Sequence, residues 1–180
     1  MLQPDTALNE VAVMTTSCKT CNGTSLWTPP ASTGGKNVTG TSETLQYFYL
    51  SHAFDVEVKG TYYKLPACIE HDPNPAVCLL NFDVFGISSA KPSIQTNGDG
   101  YMGLGLGNSI ASNSDNRSIL SQLKQHGLID KKIFSVYTQL FNQTDTPSQI
   151  RFGGSNSNLF NNSLHYITTL KDDSWKINLA

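Results

Sequence analysis

The sequence predicts an all-β chain with one or two short helices, on three observations. Charged residues are only 14% of the 180, too few for long solvent-facing helices. Ser, Thr, Asn and Gly are abundant instead, a balance that suits short strands joined by polar turns. One segment alone, SILSQLKQHGLI from Ser118 to Ile129, carries a convincing helical apolar period. The length favours one compact unit with a single core.

The elements follow in order. EVAVM, Glu10 to Met14, is a short β-favouring strand, and TTSCKTCNGTS after it has turn chemistry with two thiols. LWTPPASTGG continues as loop. Thr44 to Val58 (TLQYFYLSHAFDVEV) is rich in aromatic and β-branched residues, and Gly60 leads into TYYKLPACI, which together predict a hairpin turning at that glycine. EHDPNPAVC is expected to be a loop and LLNFDVFGIS a strand. In GDGYMGLGLG, residues 98 to 107, the glycines are too frequent for a helix and too regular for a linker. The helix then starts at Ser118, a natural N-cap. Ile119, Leu120, Leu123 and Leu128 form its apolar stripe, and Gly127 stands where it should stop. KIFSVYTQL and QIRFGG read as strands around the polar turn FNQTDTPS, and LHYITTLKDDSWKINLA reads as β-like.

Composition excludes several functions. A net charge of -2 without any run of Lys or Arg offers no field for nucleic acid. No apolar stretch reaches the ~18 to 20 residues that a membrane helix needs. Five Asn-x-Ser/Thr sequons, at Asn22, Asn37, Asn116, Asn142 and Asn161, and an even count of four cysteines suit an oxidising compartment, secreted or lysosomal/vacuolar. The opening MLQPDTALNE has neither a basic nor an apolar signal region, so no signal peptide is visible in it.

Candidate chemistry is sparse. Cys18 and Cys21 form a C-x-x-C that reads as a redox pair, half a zinc site or a structural disulfide. No helix opens there and no second C-x-x-C completes a cluster, which favours the disulfide. Cys68 and Cys78 bracket His71 and Asp72, a metal-like set, but Pro73 and Pro75 between them suit a disulfide-closed loop. His52, His126 and His165 have no nucleophile motif beside them, and the glycine run lacks the βαβ context of a dinucleotide site. No metal and no cofactor is expected.

The order DGYMGLGLG, SILSQLKQHGLIDKKIFSVYT, QIRFGGSNSNLF and LHYITTLKDDSWKINL resembles the pepsin-like aspartic peptidases, the A1 family. The likeness is good from Asp99 to Leu179 and looser before. Working backwards, Cys18-Lys-Thr-Cys21 is similar to the family's short disulfide loop. DTALNEVAVMTTSC then lines up without a gap on the family's Asp-Thr-Gly-Ser-Ser motif, which would put Asp5 on the first catalytic aspartate in a degenerate Asp5, Thr6, Ala7 triplet. Leu8 stands where the family carries a hydroxyl, and Ala12 where it carries a flap-supporting Trp. Tyr49, in Tyr49-Leu50-Ser51-His52, would be the flap tyrosine, with Gly60 as its closing glycine.

Such enzymes hydrolyse peptide bonds with two aspartates sharing one water, one carboxylate ionised and the other protonated. The resemblance implies a polypeptide substrate bound extended in a cleft between two lobes. Residues 1–163 would be most of the first lobe, without its opening hairpin. Residues 164–180 would be the first strand region of a second lobe that is otherwise absent and would carry the second aspartate. The 180 residues alone are therefore expected to be inactive, and unstable or prone to aggregate. The alternative is a catalytically inactive lobe kept as a peptide-binding or interaction module.

Overall fold

A computed structural model describes residues 2–6, 8–29, 42–48, 55–71, 74–91, 94–95, 98–105, 117–139, 147–160, 163–170, 175 and 177. Strands dominate, as the composition predicts: β1 (Leu2–Asp5), β2 (Val11–Met14), β3 (Cys21–Asn22), β4 (Ser42–Phe48), β5 (Asp55–His71), β6 (Asn74–Lys91), β7 (Ile94–Gln95), β8 (Gly100–Gly103), β9 (Phe134–Tyr137) and β10 (Gln149–Phe152). Six of them build one sheet in the order β1-β8-β2-β6-β5-β4. β1 runs parallel to β8 and β2 parallel to β6, while β2 with β8, β5 with β6 and β4 with β5 are antiparallel.

Side-chain alternation splits the core between the two faces of this sheet. On β2 and β6, Ala12, Met14, Phe85 and Ile87 point into one cluster with Leu8, Val58, Tyr62 and Tyr101. Val11, Phe82 and Val84 point into the other, where the helix α1 (Ile119–Gln125) lays down Ile119, Leu120 and Leu123. Gln122, 2% exposed, fastens that helix to the sheet: its Oε1 accepts from the Asp83 N–H at 2.6 Å and its Nε2 donates to the Asp83 carbonyl at 3.1 Å.

The helix has the termini its sequence predicts. The Ser118 hydroxyl accepts from the Ser121 N–H at 3.2 Å. At the other end Gly127 takes φ 71°, and the Leu128 and Gly127 N–H groups return to the Leu123 and Lys124 carbonyls at 2.9 and 3.0 Å.

Three expectations need correction. Gly60 is not a turn but lies inside β5; a Cβ there would run into the Gly86 carbonyl oxygen and meet Phe85 Cζ at 2.7 Å, so the glycine makes room for the backbone and a ring of the neighbouring strand. The hairpin belongs to β4 and β5, which pair from Ser42 with Thr61 to Phe48 with Asp55. The expected loop at 70–78 is mostly strand, because His71 already pairs with Asn74, and Cys68 faces Cys78 across the ladder. Finally, residues 163–170 form no strand among the described residues. Leu164, Tyr166 and Ile167 are exposed there, and among the described residues none of 163–170 joins a ladder.

Candidate active site

Asp5 ends β1, and the parallel pairing places it in register with Gly103 of β8. The chain after it is wrapped around β8 by three backbone bonds. The Leu104 N–H donates to the Asp5 carbonyl at 2.8 Å, the Gly105 N–H to the Leu8 carbonyl at 2.6 Å, and the Gly103 N–H to the Glu10 carbonyl at 3.1 Å. So close an approach excludes a side chain at the crossing: a Cβ on Gly103 would lie 2.5 Å from the Glu10 oxygen and 2.6 Å from the Asn9 carbonyl carbon. Gly100, Gly103 and Gly105 of DGYMGLGLG thus serve β8 as it threads between β1 and β2.

At this corner Asp5 is half-buried and Thr6 exposed, while Leu8 is sunk into the core at 2% exposure. Leu8 has no hydroxyl to offer a neighbouring carboxylate. Ala12 is wholly buried in the same cluster. Ala7 and Tyr49 lie outside the described residues, as do Asn37, Asn116, Asn142 and Asn161; Asn22 is described and is exposed.

Both disulfides are present, Cys18 with Cys21 and Cys68 with Cys78. Bonded sulfurs offer no thiolate to a metal, and among the described residues no group of three or more His, Cys, Asp or Glu side chains gathers to hold one.

Two features of the corner were not legible in the sequence. The Trp175 indole donates to the Leu104 carbonyl at 3.0 Å and meets Phe134 edge-on at 5.7 Å, so the far end of the chain clasps the same peptide that holds Leu8. Asp99, just before β8, accepts from the Thr24 hydroxyl at 2.9 Å and the Ser25 N–H at 2.5 Å. The chain's amino group, the Ser25 N–H and the Thr24 hydroxyl together hold the Asp99 carboxyl down at about 2. Neither contact has a local signal, because the partners are 71 and 75 residues apart.

Asp5 thus stands at a strand end beside a glycine-rich parallel neighbour in a six-stranded sheet. The sequence profile of the eukaryotic aspartyl proteases matches residues 2–180. The chain belongs to that family. It is 29% identical over 97 residues to "Pepsin II-2/3" of Oryctolagus cuniculus, a match covering 53% of this chain and 24% of that protein. It is 35% identical over 86 residues to "Acid protease" of Saccharomycopsis fibuligera, covering 45% of this chain and 22% of that one. The matched stretch thus spans less than a quarter of either relative's length.

Proposed function

We propose that the chain supplies the first-lobe half of an aspartic-type endopeptidase of the secretory pathway, secreted or lysosomal/vacuolar, with Asp5 as one carboxylate of the dyad. Residues 1–163 are the lobe, and 164–180 lead into a second lobe that provides the other aspartate from outside these 180 residues. The observation that carries this reading is the clasp around Asp5. Its carbonyl is fixed by the Leu104 N–H, and the following loop by Gly105 and Gly103, which leaves the carboxylate at the strand end on a rigid support.

The chemistry requires one ionised and one protonated carboxyl. The ionised one takes a proton from water as the water oxygen bonds to the scissile carbonyl carbon, and the protonated one gives its proton to the carbonyl oxygen. Collapse of the tetrahedral species breaks the C–N bond and the nitrogen leaves protonated. Tyr49 would cover the bound polypeptide as a flap residue, and no metal or organic cofactor takes part.

A second reading has its own observation. Leu8, buried at 2% exposure, occupies the place of the hydroxyl that would orient Asp5, which favours a lobe that holds peptides without cutting them. An acid-protease assay on the native full-length product separates the two. Asp5→Asn should lower kcat at least about 10²-fold if Asp5 belongs to the dyad. A product that is inert with Asp5 intact, yet binds the same peptides, would establish the second reading.

A further inference from the structure

Asn22 begins the sequon Asn22-Gly23-Thr24, and every residue of that triplet is held by β7 or by the Gly98-Asp99 pair. Asn22 pairs with Gln95 between β3 and β7. Gly23 lies so near Gly98 that a Cβ on it would be 3.3 Å from the Gly98 carbonyl oxygen. The Thr24 hydroxyl donates to Asp99 Oδ1 at 2.9 Å, and the next N–H, of Ser25, donates to the same oxygen at 2.5 Å. Behind the sequon the Cys18–Cys21 disulfide closes the chain one residue before Asn22. The Asn22 side chain itself is exposed, so a sugar on it would project into solvent without displacing core.

Transfer to an Asn-x-Thr acceptor needs the Thr hydroxyl to engage the transferring enzyme, and needs a backbone free to bend into the enzyme's cleft. The native fold withdraws both. We propose that Asn22 is an N-glycosylation site open only before β7 and the Gly98-Asp99 pair dock, with Asp99 acting as the latch that closes the sequon by taking the Thr24 hydroxyl. In the reaction the Asn22 carboxamide nitrogen bonds to the anomeric carbon of a lipid-diphosphate-linked oligosaccharide. The carbon–oxygen bond to the diphosphate breaks, the electron pair leaves on the lipid diphosphate, and one carboxamide proton passes to solvent.

The latch lies 75 residues beyond Thr24 in the chain. At ordinary synthesis rates Asp99 is made roughly 4 to 15 s after Thr24, and that interval is the window for modification. Hydrogen bonds to a charged acceptor are the stronger kind, so once closed the latch should suppress transfer at least about tenfold.

The test uses the full chain made in a host that does not glycosylate, a purified oligosaccharyltransferase and its lipid-linked donor. Occupancy of Asn22 is read by glycopeptide mass spectrometry on the folded chain and on the reduced, unfolded chain, beside a control acceptor peptide. The expected result is at least about tenfold higher occupancy of Asn22 in the unfolded chain, with Asp99→Ala narrowing the ratio by raising occupancy in the folded form. Near-UV circular dichroism establishes that the variant is folded; should it not be, the wild-type ratio decides alone. Equal occupancy in the two states overturns the latch. An unmodified Asn22 in the unfolded chain, beside a modified control peptide, overturns the site. The assay does not involve Asp5, so its outcome is independent of the catalytic reading.

Discussion

The corner around Asp5 and the stretch from 163 to 177 are both rich in apolar residues, yet they are built in opposite ways. At the corner Leu8, Ala12 and Leu104 are at most 2% exposed, and successive peptides of residues 103–105 are bonded to the chain that crosses them. In the later stretch Tyr166 is 87% exposed, Ile167 68% and Leu164 47%, and among the described residues it is Trp175 that ties the stretch down, through its indole on the Leu104 carbonyl and its ring against Phe134. Apolar content is similar; what differs is burial. Hydrophobic residues stabilise a fold only where other surfaces are packed against them.

The largest expected effect sharpens that contrast. Phe85 is fully buried in the cluster beside Tyr62, with ring centroids 4.9 Å apart, and sits over Gly60. Phe85→Ala should cost about 3–5 kcal/mol in urea unfolding, from lost transfer energy and the cavity left behind. Tyr166→Ala should stay within about 0.5 kcal/mol of wild type. A comparable loss at Tyr166 would break the comparison, since it would show that the exposed stretch is packed in solution.

A smaller effect probes the crossing itself. Gly103→Ala drives a Cβ against the Glu10 and Asn9 backbone, atoms that no rotamer change can move aside. The expected cost is roughly 1–3 kcal/mol, measured by the same unfolding experiment. Gly154→Ala is the matched control, because nothing lies within 4 Å of its added Cβ.

These sites show what the sequence could convey. The helix was largely legible because its signals are local: a capping serine, the apolar Ile119, Leu120 and Leu123, and a stop glycine within ten residues or so. Leu128, expected in the stripe, lies beyond the last turn and is exposed. Gly60 was misread because its reason lies about 25 positions away in Phe85 and Gly86, on another strand, and a local pattern cannot separate a glycine that turns from one that accommodates its neighbour. The strand through 74–78 was hidden by Pro73 and Pro75, which read as loop although Pro75 falls at the end of a long ladder. The catalytic reading of Asp5 rests only on likeness to a family, since a lone Asp-Thr pair has no chemical signature. Its clasp by Leu104 and Trp175 was not legible at all, being made by backbone atoms and by a residue 71 positions from the carbonyl it binds.

The smallest expected effect concerns the second fastening of β8, the exposed bonds at Asp99. Its carboxyl is lowered from 3.8 to about 2 in the folded chain, by the chain's amino group first and then by the Ser25 N–H and the Thr24 hydroxyl. A depressed folded value means that the unfolded chain binds the proton more readily. The stabilisation is therefore complete above pH 3.8, declines as acid protonates the unfolded chain, and is gone once the pH has fallen through about 2. Solvent screens so exposed a group, so the contribution is modest. Asp99→Asn should lower the urea midpoint slightly at pH 6, with the difference from wild type closing between about pH 4 and pH 2. Equal midpoints at pH 6 would mean that β8 is held by the backbone clasp alone and that Asp99 has no part in fastening it.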